Sequence, residues 1–325
     1  MGSEAHSRSM SPVKSDESAL VEDALQAFDA VNGPHSGYRP AHAKGILLAG
    51  VFIPSTDAKS LTTAPHIQRP STRVTVRFSD GSGIPAIPDN DPNASPRGMA
   101  TRFLLAEHRH TDIIAHSVNG FPAHTARELV EFLRTIPQSG PDAAKPTPIE
   151  RFLAAHPAAL EFVQAPKPMP ASFARANFYA VTAYRFTNAA GVSVYGKYRI
   201  YPGAGAEYLD PASEAKATPN FLFDELRDRL AKGPVEMKIS VQLAGAGDVV
   251  NDSTIRWPED RRQVDFGVIE IQSIVADNEA EQQHIIFDPI PRVQGIDPSD
   301  DPLLDARASI YLASGRRRRS QHQDD

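Results

Sequence analysis

Arg307, Tyr311 and Arg318 stand near the end of a 325-residue chain in which 40 acidic side chains face 34 Lys and Arg, a net charge of -6. Arg-x-x-x-Tyr is a helical spacing. On a helix the guanidinium and the phenol share one face, and Arg318 lies seven residues beyond the tyrosine, two turns further along it. A phenol with a reference pKa of about 10 is a poor anion at neutral pH, but an adjacent guanidinium and a trivalent metal both favour the phenolate. Tyr311 is therefore a candidate metal ligand, with a half-buried tyrosine beside a solvated basic tail as the plain alternative.

A second candidate is "HRHTDIIAH", residues 108–116, where His108 and His110 alternate on an expected strand and His116 lies six residues on. That spacing suits an ion held by histidines in a barrel, or surface histidines at strand ends. The arginine run at 316–319 admits a nucleic-acid or partner-binding module, but the acidic balance and the lack of interleaved aromatics argue against it. Zero cysteines exclude disulfides, thiolate metal sites and a cysteine nucleophile, which leaves His, Tyr and carboxylates for any metal.

Such residues need a scaffold, and 325 residues at 41% hydrophobic and 23% charged can bury a substantial core. The start, "MGSEAHSRSMSPVKSDESA", lacks the apolar core of a secretory signal, and no apolar run approaches the roughly 20 residues of a membrane helix. Residues 1–14 read as disordered, 15–325 as one domain, and the placement as cytoplasmic. Leu20, Val21, Ala24, Leu25, Phe28 and Val31 mark an amphipathic helix over 16–32. Strand-like stretches follow, punctuated by Pro and Gly: "ILLAGVFI", "RVTVRFS", "DIIAHSV", "FYAVTAYRFT", "VSVYGKYRIY", "EMKISVQL" and "FGVIEIQ". Thr125 with Glu128 and Thr147 with Glu150 make capping-box patterns, the second with Pro148 at the first helical position. A further helix is expected between Thr218-Pro219 and Gly233-Pro234, turning Phe221, Leu222, Leu226 and Leu230 inward. The class is α+β: an antiparallel β-barrel with inserted and terminal helices.

Five blocks then match one family in order: "RPAHAKG" (39–45), similar to R-V-V-H-A-K-G around a distal histidine; "VRFSDGSG" from Val76; "SPRGMATRF" from Ser95; "YRFTNAAGVSVYGKYR" from Tyr184; and "RVQGIDPSDDPLLDARASIY" from Arg292. The chain resembles the catalase superfamily, in particular its short, catalase-related haem peroxidases. The resemblance implies haem b, with Tyr311 as the axial iron ligand and Arg307 hydrogen-bonded to the phenolate. It implies His42 as the distal acid/base, Ser79 fixing its tautomer, and Arg39, Arg77 and Arg318 pairing with the haem propionates. Arg316, Arg317 and Arg319 have no such assignment and read as solvated. Asp301 matches a proximal acid whose histidine partner is Arg199 here, where a salt bridge would substitute.

Departures from the family bear on activity. An asparagine that orients peroxide is replaced, without gaps, by His116, followed by Ser117; Asn119 takes the role only if the strand shifts by three residues. The family's channel aspartate is Ser95, and of its two distal phenylalanines Phe121 remains while the second is Pro122. Only 14 residues (312–325) follow Tyr311, which implies the absence of the C-terminal helical domain of larger catalases. The resulting expectation is a peroxidase reducing organic hydroperoxides, and hydrogen peroxide with weak catalase turnover, through an oxyferryl intermediate in oxidative-stress defence. It would use a separate electron donor and form a homo-oligomer, as a dimer, without nucleic acid or membrane. True catalase activity, allene-oxide-synthase-like isomerisation of lipid hydroperoxides, and a non-haem histidine-metal protein stand as alternatives.

Overall fold

The structure is a computed structural model that describes residues 12–320. Among the described residues ten strands are formed: β1 Gly45–Pro54, β2 Thr72–Ser79, β3 Gly98–Ala106, β4 Arg109–His116, β5 Phe178–Tyr179, β6 Tyr184–Thr187, β7 Ser193–Pro202, β8 Val235–Leu243, β9 Gln263–Ile274 and β10 Ile296–Pro298. The helices are α1 Pro12–Asn32, α2 Ala58–Leu61, α3 Pro65–Gln68, α4 Ala126–Thr135, α5 Pro148–Ala155, α6 Pro157–Gln164, α7 Pro211–Glu214, α8 Phe221–Leu230, α9 Asn278–His284 and α10 Pro302–Ser320. None among the described residues is long and apolar enough to cross a membrane. The first helix begins at Pro12, so residues 12–14 are helical rather than disordered; residues 1–11 lie outside the described residues.

Burial alternates along much of β3 and β8, and the sheet closes on itself because a curved sheet with one apolar face buries it best as a barrel. The ring runs β1, β2, β3, β4, β5, β7, β8, β9 and back to β1, eight strands with every pairing antiparallel. The stretch "FYAVTAYRFT", expected as one strand, breaks between Tyr179 and Tyr184. Both pieces lie on the same edge of β7, β6 along residues 193–196 and β5 along 199–200, so one continuous strand is replaced by two short ones. β10 pairs with β6 outside the ring.

The interior is filled rather than open. Phe52, Phe103, Phe186 and Phe266 are fully buried there, and His66 sits among them with its ring 4.8 Å from that of Phe103. A second layer is helical: Ala24, Leu25 and Ala27 of α1, Leu129, Val130 and Leu133 of α4, and Ile310 of α10 form one apolar cluster, with Phe28, Val31, Phe121 and Tyr311 packed at its margin. Thr147 caps α5 with the full reciprocal box. At α4, Thr125 accepts from Glu128 N while Glu128 turns back to the backbone of His124, one residue further out than the box expects. In α8, Phe223 is buried alongside Leu222 and Leu226, whereas Phe221 and Leu230 are only half-buried. The terminal arginines are not all solvated. Arg317 makes a two-pronged bond to Asp29 of α1 at 2.6 and 3.0 Å, and Arg319 donates to the carbonyl of His284, tying α10 to both neighbouring helices; Arg316 is exposed.

Candidate active site

Three adjacent strands build one wall of the site. Ser79 ends β2, Gly98 opens β3 and His116 ends β4; Gly98 is the direct cross-strand partner of both of the others. Directly paired residues of an antiparallel sheet share a face, with neighbouring strands about 4.8 Å apart. Ser79 and His116 therefore stand on either side of a position without a side chain, and the His42 ring fills it. A Cβ on Gly98 would lie 2.6 Å from Ser79 Oγ and 2.8 Å from His42 Nδ1.

His42 reaches this place from the loop between α1 and β1 by adopting a positive φ of 57°, a backbone region that most side chains avoid. Hydrogen bonds from His42 N to Gly81 O (3.0 Å) and from Ala43 N to Ser82 O (2.9 Å) hold that turn. Its Nδ1 lies 3.1 Å from Ser79 Oγ. Burial, then the positive charges of Arg77, Arg39 and Arg307, hold the imidazole down to about pKa 4 against the opposing pull of the Asp80 backbone. Beneath the loop, Lys44 bonds to Asp89 and the carbonyls of Ile87 and Pro219, while Arg97 bonds to Asp80 and to the carbonyls of Ala94 and Asp89. This buried ionic network anchors both flanks of His42, and its Lys44, Asp80 and Arg97 come from three of the resembling blocks.

His116 carries a buried Nε2 with no hydrogen-bond partner, while its Nδ1 accepts from Val118 N at 3.4 Å. Burial first, then His42 and Arg307, push its pKa down to about 3, so its ring is neutral and shares a field with both groups. Phe121 and Phe162 flank it with ring centroids 6.2 and 6.3 Å away. Asn119 lines a 240 Å³ cleft with Lys167, Tyr179 and Tyr208, and the side-chain partner of His42 is Ser79. The strand thus keeps the ungapped register that presents His116 beside His42.

Tyr311 approaches from α10. Arg307 Nε and Nη2 both donate to its Oη, at 3.3 and 3.1 Å, which realises the Arg-x-x-x-Tyr face. At the far end of the space Arg39, Arg77 and Arg318 gather. Arg39 and Arg318 both donate to the carbonyl of Ile285 (2.9 and 3.0 Å), and Arg77 donates to Gln282 and to the carbonyl of Ala43. None of the three forms an ion pair within 4.0 Å with a carboxylate among the described residues. Burial and neighbouring positive charge lower all three, Arg77 to about 9 and Arg318 to about 10. Two buried cations, Arg77 and Arg318, beside a part-buried Arg39 and without an ion-paired carboxylate, suit a bound dianion. A phenol under a guanidinium fork, a neutral histidine whose cation the same guanidinium disfavours and an arginine cluster are the donor types that would hold a haem: iron ligand, distal base and propionate partners.

Two expectations fail. Arg199 makes no salt bridge to Asp301; its Nη2 donates to Gln242 Oε1 at 2.6 Å, because Arg199 pairs with Ser240 across β7 and β8 and Gln242, two residues on, presents its side chain to the same face. Asp301 instead accepts from Leu303 N, two residues on, and from Ser253, which no sequence spacing connects to it. The histidine-metal reading also fails: His108 is almost fully exposed in the β3–β4 turn, His110 lies 3.9 Å from Asp112, and His116 belongs to the wall described above, so the three do not converge.

The sequence profile of the catalase family matches residues 6–324. A catalase-related peroxidase of Mycolicibacterium paratuberculosis is 32% identical over 296 residues, covering 90% of this chain and 93% of that protein. A catalase-related peroxidase of Synechococcus elongatus is 28% identical over 302 residues, covering 91% and 88%. Among solved structures, a fungal catalase superposes with a TM-score of 0.77 at 22% identity, covering 92% of this chain and 62% of the other. Catalase A from Saccharomyces cerevisiae superposes at 0.76 and 22% identity, covering 93% and 65%, so the likeness there is one of fold.

Proposed function

The chain belongs to the catalase family, whose members are haem-dependent and act on peroxide, and from that premise we propose that it is a haem b peroxidase reducing organic hydroperoxides with a separate electron donor. The carrying observation is Tyr311 under the Arg307 fork together with a neutral, buried His42 close enough for Arg307 to disfavour its cation. Tyr311 and the three marginal arginines would hold haem b, which would supply the redox chemistry of O–O cleavage, with the electrons coming from the separate donor.

His42 supplies the proton handling. With Nδ1–H donating to Ser79 Oγ, Nε2 carries the lone pair and accepts the hydroperoxide proton from the inner oxygen. The same proton returned to the outer oxygen lets it leave as a neutral alcohol, or as water from hydrogen peroxide. His116 is part of this proposal as a second polar group beside His42, with its unpartnered Nε2 available to a peroxide oxygen. Phe121 and Phe162 give an alkyl substituent an apolar wall, and Ser95 in place of a channel carboxylate removes a charge suited to small dipolar peroxide. Catalase turnover, which needs a second hydrogen peroxide oriented in that space, is accordingly weak. Assembly as a homodimer and cytoplasmic placement complete the reading.

The test compares turnover of cumene hydroperoxide and hydrogen peroxide with an added aromatic donor, alongside oxygen evolution from hydrogen peroxide alone. Faster donor-dependent turnover of the organic peroxide is expected. Brisk oxygen evolution would assign a true catalase instead, and an epoxide formed from a fatty-acid hydroperoxide without donor would assign an isomerase. Within the site, His116→Leu is expected to slow the first reaction with hydroperoxide by about tenfold, in line with losing one hydrogen bond worth about 1.5 kcal/mol, and His116→Asn to restore most of it. Stopped-flow traces of the Soret band read both.

A further inference from the structure

We propose that Thr182 and Ser253 are positioning residues for the tyrosine side of the site: a two-hydroxyl relay through which the buried carboxylate of Asp301 fixes the Arg307 guanidinium against Tyr311. This deepens the reading above, and rests on it only for what Tyr311 holds. Arg307 Nη1 donates to Thr182 Oγ1 at 3.3 Å, the hydroxyls of Thr182 and Ser253 are 3.4 Å apart, and Ser253 Oγ bonds to Asp301 Oδ2. Thr182, Ser253 and Asp301 are 3%, 1% and 4% exposed, so water does not substitute for any link.

The donors and acceptors fix the direction of this chain. A guanidinium only donates and a carboxylate only accepts, while each hydroxyl has one proton. One ordering alone gives every link a proton: Arg307 to Thr182, Thr182 to Ser253, Ser253 to Asp301. Such a run polarises in one sense and strengthens along its length. Its far end is anchored twice, because Asp301 Oδ1 also accepts from Leu303 N at 2.9 Å, at the start of the helix that carries Arg307 and Tyr311. The relay therefore closes a ring from the beginning of α10, through two loops, back to its second turn. With Nη1 occupied by Thr182, Nε and Nη2 are the donors left for Tyr311, and both point at its oxygen. Arg199, the residue that the sequence offered for this duty, is held by Gln242 instead.

Thr182→Val keeps the shape of the side chain and removes the oxygen; Thr182→Ser keeps the oxygen. In the full-length chain without haem, the hydrogen exchange of the Arg307 guanidinium protons is followed by 15N-resolved NMR, the signal being identified by its loss in Arg307→Lys. Exchange about tenfold faster is expected in Thr182→Val and in Ser253→Ala, the scale of one hydrogen bond to a charged group, with Thr182→Ser close to wild type. In the haem-loaded chain, the ferric charge-transfer band is expected to move in the first two variants and not in Thr182→Ser. Exchange unchanged in Thr182→Val, or Thr182→Ser behaving as Thr182→Val does, overturns the relay. Ser253→Ala breaks it one link further away, so failure of one variant to fold leaves the other to decide. If the wild-type chain takes up no haem but the exchange contrast persists, the relay stands and the haem reading falls.

Discussion

At the scale of residues the site is a set of groups whose charges are set by what surrounds them. His42 is neutral because burial and Arg77 disfavour its cation, which leaves it able to take a proton only above its lowered value of about 4. The rate of the first step with hydroperoxide is therefore expected to be flat from pH 8 to about 5 and to fall as His42 becomes protonated near 4, as seen in a stopped-flow pH profile. Removing the base altogether, in His42→Ala, is expected to cost about 10² to 10⁴ in that rate while the Soret band is retained. Tyr311→Phe tests the opposite side: haem supplied to this variant should give an altered Soret and charge-transfer spectrum, because the ring keeps its packing and loses only the oxygen beneath Arg307.

At the scale of elements, the row Ser79, Gly98, His116 is a product of register. A slip of one residue in β3 or β4 would turn each side chain to the other face, so the hydrophobic alternation that sets the barrel also sets the site. Gly98 is the point at which this can be tested. Gly98→Ala would place a methyl carbon 2.8 Å from His42 Nδ1 and 2.6 Å from Ser79 Oγ, closer than carbon is found to either, so the ring must leave its seat. The expected result is a loss of peroxide reaction approaching that of His42→Ala, with haem uptake preserved, measured by the same stopped-flow and absorption readings. Haem uptake, which this reading assigns to Tyr311 and the three arginines, then separates this outcome from a general failure to fold. The helix α10 acts as a second such element: it carries Arg307, Tyr311 and Arg318 at four- and seven-residue intervals, and Arg317 ties its other face to Asp29.

At the scale of the whole molecule, burial of neutral histidines makes the fold sensitive to acid. His42, His66 and His116 are held at about 4, 3 and 3, each chiefly by burial, against 6.5 in an unfolded chain. Between those values the unfolded chain binds more protons, so stability rises with pH across the window and is lost as pH falls from 6.5 towards 4. Asp80, raised to about 7 by burial against the pull of Arg97, works in the opposite sense, one group against three. The melting temperature of the haem-free chain is expected to decline between pH 6.5 and 4. His66→Leu, at a ring buried among Phe52, Phe103 and Phe266 with an unpartnered Nδ1, should make that decline shallower.

The amino-acid order by itself determined whatever is local or linear. Helical spacing brought Arg307 to Tyr311, Thr147 and Glu150 capped α5, and alternation in "RVTVRFS" and "EMKISVQL" made barrel strands, because each depends on residues a few positions apart. The ordered blocks carried the family and, with it, the roles proposed for His42 and the marginal arginines. The tertiary structure decided what depends on closure of the barrel. It split the stretch from Phe178 to Thr187 between two lengths of one strand edge. It gave Arg199 to Gln242 instead of Asp301, and seated His42 over Gly98 between Ser79 and His116. It also joined Thr182 to Ser253 and Ser253 to Asp301, pairs 71 and 48 residues apart. Short polar side chains have no periodicity that announces a distant partner; only a closed sheet and a docked helix bring them within hydrogen-bond reach, and burial then makes leaving them unpaired too costly.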